Sequence, residues 1–144
     1  IAKVDLICIN DEEAYLLAKE KSLDKCAHKI INKGPQFVII KKGELGAELY
    51  SKDEKFSLPS FRVAAIDPTG AGDSFAGGLA AYLSKTNKTD FNSLKKGLML
   101  GTILASFTVE GLGTNNLEKV VKKKILDRLE KFIIKNKIDL NLSI

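Results

Sequence analysis

Residues 67–78 read Asp67-Pro-Thr-Gly-Ala-Gly-Asp73 and then Ser74-Phe-Ala-Gly-Gly78. A proline and two glycines interrupt the chain just before it becomes apolar and helix-compatible from Phe75 to Leu83. That order predicts a tight turn feeding the N-terminus of a helix. The leading N–H groups of a helix, here those of Gly70, Ala71, Gly72 and Asp73, lack intrahelical acceptors. With the positive end of the helix dipole they make an anion site, and phosphate is the usual anion. Glycine lets the backbone approach a ligand that side chains would fend off.

Asp73 fits this picture less simply, because a carboxylate beside a bound phosphate repels it. Two readings stand side by side. One is a favourable negative charge near a helix start. The other is a general base that takes the proton from a hydroxyl attacking the phosphate. The Walker-type loop Gly-x-x-x-x-Gly-Lys-Ser/Thr is absent, so the larger class of phosphate-loop proteins is not indicated.

The bulk of the chain bounds the remaining possibilities. Its 144 residues are one domain's worth, long enough for a sizeable core. Hydrophobic content of 44% and charged content of 28% describe an ordinary soluble globular protein. The net charge of +5 comes from dispersed lysines, densest at Lys119, Lys122, Lys123 and Lys124, with Lys131, Lys135 and Lys137 beyond. No aromatic residues alternate with them, so a solvated helix face is expected rather than a nucleic-acid partner. Cys8 and Cys26 form no Cys-x-x-Cys pair and His28 is the lone histidine. A disulfide framework or zinc site is therefore unsupported, and a cytoplasmic location fits. The longest apolar run, Leu98 to Val109, is too short to span a bilayer, so no membrane partner is expected.

In chain order, Val4 to Ile9 is β-branched and apolar and reads as a buried strand. Asn10-Asp-Glu-Glu13 then has the pattern of a capping box, opening a helix to about Lys19. Ser22 is placed to cap a second helix, ended by Gly34-Pro35. Phe37 to Ile40 reads as a strand buried on both faces. A glycine turn over 41–46 leads into a strand at Ala47–Tyr50. Phe56–Leu58 and Arg62–Ile66 read as short strands. Asp90 caps a long helix from Phe91 towards Val109, on which Gly97, Gly101 and Ala105 recur every fourth residue and predict close helix packing. Leu117, Val121, Ile125, Leu129, Phe132 and Ile133 stripe a final amphipathic helix, read as core without chemistry. The element order fits an α/β layered domain.

The segment from Asp67 to Gly78 resembles the C-terminal signature of the ribokinase-like (PfkB-type) carbohydrate and nucleoside kinases, Pro68 being a common variant. The resemblance implies a three-layer α/β fold, a sheet with flanking helices, of which residues 1–144 form the C-terminal, nucleotide-binding part. It implies transfer of the γ-phosphoryl group of ATP to a sugar or nucleoside hydroxyl, with Asp73 as the base and Gly70, Ala71 and Gly72 as the anion hole. Asn10-Asp-Glu-Glu13 matches the family's Asn-x-x-Glu motif, which implies that Asn10 and Glu13 help hold Mg²⁺ through water; the capping reading stands beside it. The 41–46 turn is similar to the family's Thr-Leu-Gly-x-x-Gly turn against the nucleotide. Gly43 and Gly46 match, and Lys41 replaces the threonine and offers a phosphate contact instead. Ala105 and Gly111 correspond to the edge of the adenine pocket. Asp67 and Thr69 match positions that bind a monovalent cation, usually K⁺.

The chain begins at Ile1 rather than Met, and its first residues already read as a core strand, so a truncated chain is expected. In the resemblance, the substrate contacts, the lid and much of a homodimer interface lie in a half N-terminal to residue 1. Two alternatives to a kinase fragment remain at this point. One is a non-catalytic nucleotide-binding module, or a subunit completed by a separate N-terminal half. The other is a structural domain whose glycine turn only caps a helix.

Overall fold

The computed structural model describes residues 1–113 and 115–139. By its internal contacts the chain divides into two compact units, Ile1–Ser60 and a second beginning at Phe61.

The first unit is built from β1 (Leu6–Asn10), α1 (Asp11–Ala18), α2 (Leu23–Ile31), β2 (Phe37–Lys41), β3 (Ala47–Tyr50) and β4 (Lys55–Leu58). The strands lie in the order β1-β2-β3-β4, the first pair parallel and the others antiparallel. A parallel pair needs a crossover, which α1 and α2 supply, whereas β2, β3 and β4 follow one another through tight turns. Ala14 and Ala18 of α1, with Cys26, Ala27 and Ile30 of α2, form a core with Val38, Ile40 and Tyr50 of the sheet. Ile39 and Leu49, opposite each other in the ladder, alternate to the other face and are equally buried. Hence β2 reads as an unbroken apolar run rather than an alternating one.

Local signals were good guides here, with limits. The capping box is complete: Asn10 Oδ1 accepts the Glu13 N–H at 2.7 Å, and Glu13 Oε2 accepts the Asn10 N–H at 2.8 Å. Ser22 stands at the N-cap of α2 but makes no side-chain cap bond. That helix ends at Ile31, before Gly34 and Pro35 are reached.

A polar network ties β3 to its neighbours. Glu48 pairs with Lys42 at 2.7 Å and accepts from the Tyr50 hydroxyl, which also reaches Asp24 at 2.9 Å. Lys55 bridges Asp24 at 2.6 Å and Glu48 at 3.6 Å. Burial, with Glu48 and Asp24 beside it, pushes the Tyr50 hydroxyl far above its ordinary range. Burial alone would raise Glu48, but its bonds from Lys42 and Tyr50 leave it below the usual carboxylate value.

The second unit contains α3 (Ala71–Thr86), α4 (Phe91–Thr108), α5 (Asn115–Glu118) and α6 (Lys122–Asn136). Arg62–Ile66 is not a strand. Its end is fixed instead by Val109, whose carbonyl accepts the N–H groups of Ile66 at 2.6 Å and Asp67 at 3.2 Å. The final stripe is split: Val121 is extended and more than half exposed, so α5 and α6 are separate helices. Asp90 caps α4 as its position predicts, accepting the Ser93 N–H and Oγ at 2.9 Å each.

The small-residue face of α4 packs against α3. A Cβ on Gly101 would lie 2.6 Å from the Phe75 carbonyl oxygen, and one on Gly78 would lie 2.8 Å from Gly101 Cα. Backbone approach this close leaves no room for a side chain. Leu94, Leu98, Met99 and Ile103 are fully buried along α4, each stabilising the unit by about 1.5–3 kcal/mol. No helix among the described residues is long and apolar enough to cross a membrane.

Candidate functional site

The turn between Pro68 and α3 is shaped by Gly70, whose φ of +81° lies in the left-handed region. L-residues with a Cβ are strained there. Four unpartnered N–H groups were expected at this helix start; the structure leaves three. The Ala71 N–H donates to the Pro68 carbonyl at 3.1 Å, closing the turn, and the helix proper opens with Ser74 N–H donating to Gly70 at 2.9 Å. Among the described residues, the N–H groups of Gly70, Gly72 and Asp73 have no protein acceptor. They stand at the positive end of a 16-residue helix. Asp73, in the first turn, is exposed and its carboxylate makes no hydrogen bond or ion pair among the described residues.

Asp67 organises the approach to this turn. Its Oδ1 accepts the Thr69 N–H at 2.9 Å and its Oδ2 faces the Gly113 N–H at 3.4 Å. The Thr69 side chain and amide, with the Gly113 amide, hold the Asp67 carboxyl below the usual carboxylate range. Behind the turn, the fully buried Thr108 donates to Ser74 Oγ at 2.7 Å, fastening the end of α4 to the start of α3. Sequence reasoning passed over Thr108, and no local signal exists for a contact 34 residues apart. Ala105 is half-buried on the last turns of α4, and Gly111 lies in the loop beyond, against the Asn116 side chain. The second unit thus brings Asp67, Thr69, Gly70, Asp73 and the 108–113 segment into one neighbourhood.

The first unit gathers its own set at the carboxyl ends of β1 and β2, where open α/β sheets bind ligands. Asn10 and Lys41 are register partners on adjacent parallel strands. Burial pushes the Cys8 thiol up; the Lys41 charge counters this and the Glu13 charge adds to it, so both charged groups reach β1. Lys41 leads into a single 3₁₀ turn, Gly43–Leu45, closed by the Lys42 N–H donating to the Gly46 carbonyl at 2.7 Å. Lys42, which the sequence did not single out, anchors that turn to Glu48. Gly46 has φ +98°, and a Cβ there would lie 2.1 Å from the Leu58 carbonyl oxygen. Gly46→Ala is therefore expected to destabilise the unit by about 3 kcal/mol or more, read as a lowered midpoint in urea. An unchanged midpoint would show the turn to be adaptable. Gly43, at φ +54° with open space around it, is a position of backbone shape rather than of close packing.

Among the described residues no group of three or more His, Cys, Asp or Glu side chains is placed to hold a metal ion directly. Asn10 and Glu13 each commit one oxygen to the capping box. The remaining Glu13 oxygen suits a cation held through water, as Mg²⁺ commonly is.

The mixed sheet with its flanking helices matches the ribokinase fold. The chain belongs to the pfkB family of carbohydrate kinases, whose model matches residues 1–120. It is 38% identical over 86 residues to a fructokinase of Rhizobium leguminosarum bv. trifolii, a match covering 60% of this chain and 26% of that protein. Its fold matches aminoimidazole riboside kinase from Salmonella enterica, solved with aminoimidazole riboside and an ATP analog. The TM-score is 0.78 at 25% identity, over 87% of this chain and 42% of that one. A putative ribokinase II from E. coli, solved with ATP and Mg²⁺, matches with a TM-score of 0.70 at 27% identity, over 91% of this chain and 39% of that one. The chain therefore spans well under half the length of these relatives.

Proposed function

We propose that this chain is the nucleotide-binding, base-bearing part of a single ribokinase-like domain that transfers the γ-phosphoryl group of ATP to a hydroxyl of a sugar or nucleoside. In this reading the substrate contacts lie in a half N-terminal to residue 1. The observation that carries it is the trio of unpartnered N–H groups on Gly70, Gly72 and Asp73 at the start of α3, with a carboxylate in the same turn. Amides so placed receive the charge that develops on the transferred group; one such donor is worth about 3–4 kcal/mol of barrier. Asp73 takes the proton from the attacking hydroxyl.

The other residues position and neutralise. In this reading Lys41, Gly43 and Gly46 contact the nucleotide, and Ala105 and Gly111 border the base. Mg²⁺, when bound, offsets charge on the phosphate oxygens, and Asn10 and Glu13 support it through water. Asp67, kept ionised by the Thr69 and Gly113 bonds, and Thr69 serve a monovalent cation, K⁺ by preference, that steadies the anion turn. Support for ATP and Mg²⁺ comes from the relatives solved with ATP, its analog and Mg²⁺. The relatives differ in acceptor, fructose against a riboside by their names, so the acceptor class is stated no more narrowly.

Calorimetric titration of the 144-residue chain with Mg-ATP in potassium buffer tests the reading. Binding is expected, and Gly72→Val is expected to weaken it roughly tenfold or more by crowding the amides that an anion must reach. An affinity that the valine leaves untouched would remove the anion hole from this turn.

A further inference from the structure

The second unit holds a cleft that the proposed chemistry does not use. Its volume is about 600 Å³, within the size range of small-molecule sites. None of residues 67–73 lines it. Its aromatic wall is Phe61 and Phe107, with the Arg128 guanidinium 5.0 and 3.6 Å from the two ring centroids. Arg128 is also fixed in the plane: it donates to Ser106 Oγ at 2.9 Å and pairs with Glu110 at 2.8 Å. The Arg128 and Glu110 charges thereby cancel.

What remains on the lining is Lys119, Lys124 and Lys131 against the single carboxylate of Asp127. None of the three lysines has an ion-pair partner among the described residues. Lys124 and Lys131 stand two turns apart on one face of α6. Lys119 comes from the segment before that helix, so two elements deliver amines to one concavity. A cleft with a net positive lining and a low-dielectric wall concentrates the opposite charge. Asn116, also on the lining, lies against Gly111 in the loop whose Gly113 amide faces Asp67.

We propose that this cleft is a second anion site, taking a small molecule that carries two or more phosphate charges. Glu110, at the start of the 110–113 loop, lines it, and the proposal is independent of the kinase reading. An occupant would rest against Glu110 and Asn116, the latter packed on Gly111, so its binding is positioned to be felt at Asp67.

The test is a titration of the isotope-labelled chain with inorganic pyrophosphate, followed by the backbone amide resonances. Saturable shifts are expected at Lys119, Lys124, Arg128 and Lys131. The double variant Lys124→Ala, Lys131→Ala, at two exposed positions, is expected to weaken that set roughly tenfold while leaving shifts at Gly70–Asp73 as they were. No saturable response on α6, or one indifferent to the double substitution, overturns the proposal. Failure of the kinase reading would register separately, as silence at Gly70–Asp73.

Discussion

Asp73→Asn, in a preparation that turns over a sugar or nucleoside acceptor, is expected to lower kcat by about 10²–10⁴-fold, the span typical of a lost general base. Asparagine keeps the size and shape of the side chain and the backbone of α3, but it cannot accept the hydroxyl proton. Mg-ATP affinity should hold or rise slightly, because a negative charge beside the phosphate site is removed. The competing account, in which Asp73 only complements the dipole of α3, predicts a loss of about 0.3–1 kcal/mol of stability and ordinary turnover. Measuring kcat, the KM for ATP and the thermal midpoint together separates them. A variant with near-normal kcat and a lowered midpoint would retire Asp73 as the base.

Gly101→Val is expected to be the most damaging single substitution in the second unit, costing about 3 kcal/mol or more. Its Cβ would meet the Phe75 carbonyl oxygen at 2.6 Å, a backbone atom that moves only if α3 moves. The same displacement would drag the start of α3, and so the anion turn, away from Thr108. Gly77→Ala is the matched control: it lies in the same pair of helices, exposed, with nothing within 4 Å of the new methyl. There the helix propensity gain predicts about 0.5–1 kcal/mol of added stability. Urea unfolding of both variants decides the matter, and a Gly101→Val midpoint near that of the wild type would mean that α3 and α4 are not pinned at this glycine.

The features legible in the sequence were those whose causes are local. The capping box at Asn10 and Glu13, the cap at Asp90, the glycine turn at 70 and the bare face of α4 all follow from residues within a few positions of one another. Misreadings arose where a distant partner intervened. Arg62–Ile66 looks like a strand by composition, but Ile66 and Asp67 spend their N–H groups on Val109. The apolar stripe from Leu117 to Ile133 has helical spacing, yet Val121 is extended and interrupts it. The Ala71 amide looked unpartnered because nothing in the sequence says that Pro68 will turn back to meet it. The Tyr50–Glu48–Asp24–Lys55 network carries no sequence signature at all, since its members meet only after the sheet forms. The cleft was missed for a related reason: α6 was read by its buried stripe, while its chemistry lies on the other side.

Among the described residues, the hydrogen bonds that shape the glycine turn are made between residue 66 and residue 113. The turn is thus specified by one continuous stretch of the chain. Recombination with a breakpoint near the boundary at residue 60 would pass it on whole, in a single exchange, to whatever strand-rich segment preceded it.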